Sequence, residues 1–182
     1  GLDIKVFLKR EDFRDSFVSL KYKDLDQLPT GAVVGSSSLR RRAQLLHKRP
    51  DIKVVEFRGN VQTRLKKLES GVADATFLAS AGLLRLGMKE LVNSISPDVM
   101  MPAVAQGVIG VQQRTNDDQM TSLLSPLNDK DTEIQVMVER TFLNILDGSC
   151  RTPIGAYTRL KGSNILFRGE VLRVDGSEVV SG

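Results

Sequence analysis

The groups in this sequence best suited to chemistry are one thiol and a set of guanidinium side chains. The single cysteine of the 182-residue chain, Cys150, lies in Asp147-Gly148-Ser149-Cys150-Arg151-Thr152-Pro153-Ile154-Gly155. A lone thiol has no intramolecular disulfide partner, so it either packs as a small apolar residue or acts chemically. Packing is the commoner fate of a free cysteine, and the residue type alone points that way. Its surroundings offer the other role: Gly148 and Pro153 set an irregular loop after a strongly helical stretch. In such a loop a sulfur can be presented rather than packed.

The guanidinium groups follow a pattern. Arg40 and Arg41 fall in the first turn of a predicted helix, behind Gly35-Ser36-Ser37-Ser38-Leu39. Arg58 closes the next predicted strand, and Arg64 lies in the first turns of the helix after it. Helix starts of this kind collect at the carboxyl edge of a parallel sheet, where open α/β sheets bind ligands. Unpaired N–H groups and the helix dipole there favour an anion. Cations at that end carry an electrostatic cost unless an anion sits beside them, a conflict typical of functional sites. Arginine's planar fork suits carboxylates and phosphates. Any one of these arginines alone reads as part of a solvated face, but several at one sheet edge predict an anion site.

The elements that must position these groups are legible as periodicity. Predicted strands cover residues 4–8, 17–18, 32–34, 53–57, 75–79 and 108–112, with an extended piece at 99–101. Predicted helices cover 39–48, with Leu39, Ala43 and Leu46 as buried stripe, then 61–70, 81–86 and 117–124. One helical turn is expected at 25–28. Strand–helix alternation at this spacing predicts a parallel-rich α/β sheet. The strongest helix is expected over 131–146, with Ile134, Met137, Val138, Thr141 and Ile145 facing the core. Thr132 with Gln135 would form its capping box. Beyond Cys150, stretches 156–160, 165–168 and 171–174 alternate like antiparallel strands of a smaller α+β unit beginning near Asn128.

Composition narrows the classes. Hydrophobic residues make up 41% and charged residues 26%, ordinary for a globular protein. No apolar run is long enough to span a bilayer and no secretory signal pattern opens the chain, so neither a membrane role nor export is expected. One cysteine fits a reducing, cytoplasmic setting. The lone histidine, His47, lacks companions for a metal site. Net charge is only +4, Trp is absent and aromatics are 5%, which leaves few base-stacking platforms for nucleic acid.

An ordered set of motifs then carries a resemblance over essentially the whole chain. Arg10-Glu11-Asp12, Gly35 to Arg41, Arg58-Gly59-Asn60 with Thr63-Arg64-Leu65, and Ala81-Gly82-Leu83 with Leu86-Gly87 come first. Pro102-Ala103-Val104-Ala105-Gln106-Gly107, Glu139-Arg140 and Gly148-Ser149-Cys150 follow. Together they resemble the porphobilinogen deaminase, or hydroxymethylbilane synthase, family. The resemblance implies a transferase of tetrapyrrole, porphyrin and heme biosynthesis. It would join four porphobilinogen units head to tail into hydroxymethylbilane, releasing ammonia each time. Loss of ammonia from porphobilinogen leaves an electrophilic methylene-pyrrolenine, to which a thiolate or a free pyrrole α-carbon can add. The implied cofactor is dipyrromethane, held by a thioether to Cys150. Arg40, Arg41, Arg58 and Arg64 would bind cofactor or substrate carboxylates. Ser37, Ser38, Gly59 and Gln106 would line the same site, and Arg10 would contribute at a domain hinge.

The same resemblance implies a three-domain parent whose first two domains are like the lobes of periplasmic binding proteins. Residues 1–9 and 106–126 would be remnants of domain one. Residues 10–105 would form an α/β, anion-binding domain two, and residues 127–182 most of a cofactor-carrying α+β domain three. Most of domain one, with the family's catalytic aspartate, would precede this segment, so no residue here inherits that role and the isolated chain is expected to be inactive. Porphobilinogen and the growing oligopyrrole would be its partners, without nucleic acid or membrane, in a cytoplasmic monomer. Ala105 stands where the family usually has Gly, at a turn where a β-carbon would be strained. The main rival is a non-enzymatic two-lobed anion receptor or regulator effector domain, since such lobes host both roles. A third reading is a nucleic-acid binder using the arginine patch, although no DNA-reading motif is present.

Overall fold

The computed structural model describes residues 1–149 and 151–182 and contains three sheets. The first pairs β1 (Leu2–Phe7) antiparallel with β6 (Gly110–Arg114). The second holds β2 (Asp15–Ser19), β3 (Val33–Gly35), β4 (Lys53–Val55) and β5 (Ala75–Ala79) in the order β2-β5-β3-β4. The third is an antiparallel meander of β7 (Ile154–Lys161), β8 (Asn164–Leu172) and β9 (Val179–Ser181). The architecture is the expected α/β unit joined to a smaller α+β unit.

Helices α1 (Leu39–Lys48), α2 (Val61–Glu69) and α3 (Ser80–Arg85) follow β3, β4 and β5. Helices α4 (Asp118–Leu124) and α5 (Lys130–Ile145) follow β6. On one side of the second sheet the core gathers Phe17, Val34, Leu45, Phe77 and Met100. On the other side it gathers Val18, Phe57, Leu68 and Leu83. That alternation is the period of two that a sheet covered on both faces requires. Gly35 is needed for this packing, because a Cβ there would stand 2.4 Å from the Phe57 ring.

The second sheet is parallel-rich, as expected: β3, β4 and β5 are parallel, and β2 runs antiparallel to β5 at its edge. Periodicity reports which face of a strand is buried and carries no information on its direction. Several other expectations are corrected. In α1 the buried residues are Arg40, Ala43, Gln44 and Leu45, rather than Leu39 and Leu46. In α5 they are Thr132, Val136 and Glu139, while Ile134, Met137 and Ile145 are exposed. Both helices turn a polar residue inward because an ion pair waits there. The α5 cap is Asp129, whose carboxylate accepts from Thr132 N at 2.9 Å, in place of a Thr132–Gln135 box. Asn164–Leu172 form one strand where two, at 165–168 and 171–174, were expected, and Pro97-Asp98-Val99 is a turn rather than an extended start. Residues 25–28 also form a turn rather than a helix.

Candidate functional site

Parallel β3, β4 and β5 end at one edge of the sheet, where α1, α2 and α3 begin. Because β2 runs the other way, its first residue, Asp15, arrives at that edge opposite Ala79. Asp15 is fully buried and meets both arginines of α1. Its Oδ2 lies 2.8 Å from Arg40 Nη2, and its Oδ1 lies 2.7 Å from Arg41 Nη2. Burial pushes this carboxyl up, and the adjacent charges of Arg41 and Arg40 more than reverse that, holding it below the ordinary carboxylate range. The anion that the cationic helix start demands is therefore partly supplied from within. Two guanidinium groups against one carboxylate still leave a positive excess.

Arg40 is itself buried and donates further to the Met101 carbonyl, while Arg41 Nη1 donates to Phe77 O at 3.0 Å. Ser38 caps α1, accepting from Arg41 N. Ser37 is exposed and accepts from Phe57 N at 3.0 Å, which ties the starts of α1 and α2 together. At α2, Asn60 is the cap. Gly59 has φ 125°, and a Cβ there would meet Thr63 Cγ2 at 2.7 Å, so both dihedral and contact require glycine. Arg58 is exposed and paired with Glu56 at 2.7 Å. Arg64 is partly buried and donates through Nε to Gly59 O at 2.9 Å. Burial, and then the nearby Arg41 charge, lower its proton affinity. Its guanidinium stays charged, as arginine does in proteins, so the two cations adjoin with no carboxylate assigned to Arg64.

Cys150 lies outside the described residues. Its neighbours in sequence do not: Ser149 and Thr152 line a cavity of about 270 Å³ together with Ser38, Arg40, Ala103 and Val104. Ser149 N donates to Thr152 Oγ1 at 2.7 Å, and Thr152 N donates to Ser149 O at 3.0 Å. The structure thus brings the start of α1 to Ser149 and Thr152, across about 110 residues of sequence.

Arg10 is engaged elsewhere. Its Nη1 and Nη2 lie 2.6 and 3.1 Å from the two carboxylate oxygens of fully buried Glu139, and its Nε donates to Gln106 O at 3.0 Å. Gln106 joins the two arginine centres: its Nε2 donates to Phe13 O at 2.7 Å and to Asp15 Oδ1 at 3.0 Å. Ala105 N donates to Glu139 Oε2 at 2.7 Å, and Ala105 takes φ 58°, in the left-handed region that favours glycine.

Sequence reasoning brought Arg40, Arg41, Ser37, Ser38, Arg58, Gly59 and Arg64 to one edge, as found. It gave no role to Asp15 or Glu139. Each left a signal: an acid opening the apolar strand Asp15-Ser16-Phe17-Val18, and an acid in the buried phase of α5. His47 is exposed, with Nδ1 2.9 Å from Gly176 O. No group of three or more metal-ligating side chains occurs among the described residues, and no helix among them is long and apolar enough to cross a membrane.

Comparison with known proteins adds independent findings. Residues 1–122 match the family described as porphobilinogen deaminase, dipyromethane cofactor binding domain, and residues 133–181 match the porphobilinogen deaminase C-terminal domain. A porphobilinogen deaminase of Paracoccus denitrificans is 59% identical over all of this chain and 58% of its own length. A chloroplastic porphobilinogen deaminase of Oryza sativa is 56% identical over 94% of this chain and 49% of its own length. The chain spans about half the length of these curated relatives. Among solved structures, the second substrate binding domain of a putative amino acid ABC transporter from Streptococcus pneumoniae matches with TM-score 0.42 and 17% identity. That match covers 80% of this chain and 64% of the other.

Proposed function

This chain belongs to the porphobilinogen deaminase family, and on that premise we propose that it supplies the primer-holding part of an enzyme that joins porphobilinogen units into hydroxymethylbilane. The observation that carries the proposal is the cavity where Ser38 and Arg40 face Ser149 and Thr152. Its donors suit a dipyrromethane bearing acetate and propionate groups: hydroxyls, the N–H groups of a capped helix start, and a cationic surround. When bound through Cys150, that group supplies the free pyrrole α-carbon at which the chain is extended. Arg64, Arg58 and the starts of α1 and α2 hold the carboxylates. Asp15 keeps Arg40 and Arg41 fixed in place, so that their positive excess needs no reorganisation when an anion enters.

The proposal extends to domain organisation. Residues 1–9 and 106–126 belong to domain one, 10–105 to domain two, and 127–182 to domain three. The separate β1–β6 sheet supports this division, since neither strand pairs with the larger sheets. Arg10, Gln106 and Glu139 lie where the three meet, which makes them positioning residues at the joint. A reducing compartment and a monomeric state are part of the same proposal.

The test uses the longer enzyme that contains this segment. Protein made in porphobilinogen-competent cells should carry a mass increment of two pyrrole units that Cys150→Ser abolishes. An unmodified wild-type mass would favour a receptor. Arg58→Leu should slow primer assembly or elongation without moving the unfolding midpoint, because the Glu56 carboxylate that its guanidinium meets is exposed. Arg40→Leu should lower both, because it removes one of the two guanidinium partners of buried Asp15. Normal turnover in the two variants would remove the carboxylate-holding role.

A further inference from the structure

Where α1 packs against the third sheet, a cavity of about 200 Å³ opens between Gln44, Met101, Glu170 and Leu172. Two buried acceptors line it without a donor, Gln44 Oε1 and Glu170 Oε1. Gln44 is 3% exposed, and its amide nitrogen is committed to Met101 O at 2.9 Å, so its oxygen has to find a donor elsewhere. With Glu170 ionised, its carboxylate oxygens only accept, as the Gln44 amide oxygen does, so neither of these two orphan atoms can satisfy the other.

The surrounding charges do not fill this gap. Lys48 of α1 donates to the Asp98 carbonyl, and Arg168 of β8 pairs with the Asp98 carboxylate. Arg40 is held by Asp15, and His47 meets Gly176 O. The residues of β9 that line the cavity are Val179 and Ser181. Burial outweighs the pull of Arg40, Lys48, Arg168 and His47 and pushes the Glu170 carboxyl up.

We propose that this joint is a proton-operated contact. A neutral Glu170 supplies a donor to the orphan Gln44 oxygen and closes β8 on to α1. An ionised Glu170 keeps water in the cavity and loosens the joint. The sign follows from linkage: the folded form holds the proton to higher pH than the unfolded chain. The contribution of Glu170 to stability is therefore fully present below the unfolded glutamate value of about 4.3, and is lost as pH rises through the folded value.

Titration of the full chain, labelled at the glutamate side-chain carboxyl carbon, tests this by NMR. Glu170→Gln assigns the signal by its loss, and Glu170→Ala does so should the amide fail to fold. The Glu170 signal should titrate above the ordinary glutamate value, and the Gln44 side-chain amide should shift with the same midpoint. In urea, the wild-type unfolding midpoint should drop as pH rises through that value, while Glu170→Gln loses that part of the slope. An ordinary Glu170 midpoint, a Gln44 amide that ignores it, or an unchanged slope in the variant would each overturn the proposal.

Discussion

Replacing Glu139 by Gln tests whether one buried carboxylate joins the crossover segments to α5 and the third sheet. Four hydrogen bonds converge on it: Arg10 Nη1 at 2.6 Å and Thr158 N at 2.7 Å on Oε1, Arg10 Nη2 at 3.1 Å and Ala105 N at 2.7 Å on Oε2. All four are donors, and the residue is fully buried. An amide keeps one acceptor oxygen and sets an NH2 group against the other two donors. Arg10 is left in the interior without its counter-charge. Breaking a buried pair from one side costs about 3–5 kcal/mol. With a urea dependence of about 2 kcal/mol per molar, the unfolding midpoint should fall by roughly 2 M. The companion measurement is a double-mutant cycle with Arg10→Met and Glu139→Met. The double variant should lose much less than the sum of the singles, because no charge is stranded. A Glu139→Gln midpoint within about 0.3 M of wild type, or strict additivity in the cycle, would refute the assignment.

Two further outcomes are expected. Asp15→Asn should destabilise the chain at neutral pH, and the gap to wild type should narrow as pH falls below about 4, the unfolded aspartate value. The stabilising charge of Asp15 is present above that value and lost as acid reaches its depressed folded value, so a constant gap in urea titrations across this range would contradict the pairing. Ala105→Gly should raise stability by roughly 0.5–1 kcal/mol, the left-handed penalty less the extra freedom of the unfolded glycine. An unchanged or lower midpoint would show that the turn stores no strain.

The sequence by itself determined the elements of the α/β unit and where its cations sit. Predicted and observed bounds agree at β5 and at α1, because alternating apolar strands, serine caps and the stop at Pro50 are local signals. The motif order was enough to name the family. What only the tertiary structure decided is which polar residues those elements bury. Helix α5 carries an apolar stripe at Ile134, Met137 and Ile145, yet it turns Glu139 inward. Arg10, which satisfies Glu139, lies 129 residues earlier, beyond the reach of any helical period. The same holds for Asp15 against Arg40 and Arg41: periodicity gives no strand direction, and β2 had to run antiparallel to bring that carboxylate to the edge where α1 begins. Apolar patterning reports a local average, whereas a buried charge is tolerated only where a distant partner arrives, and that arrival is a property of the whole fold.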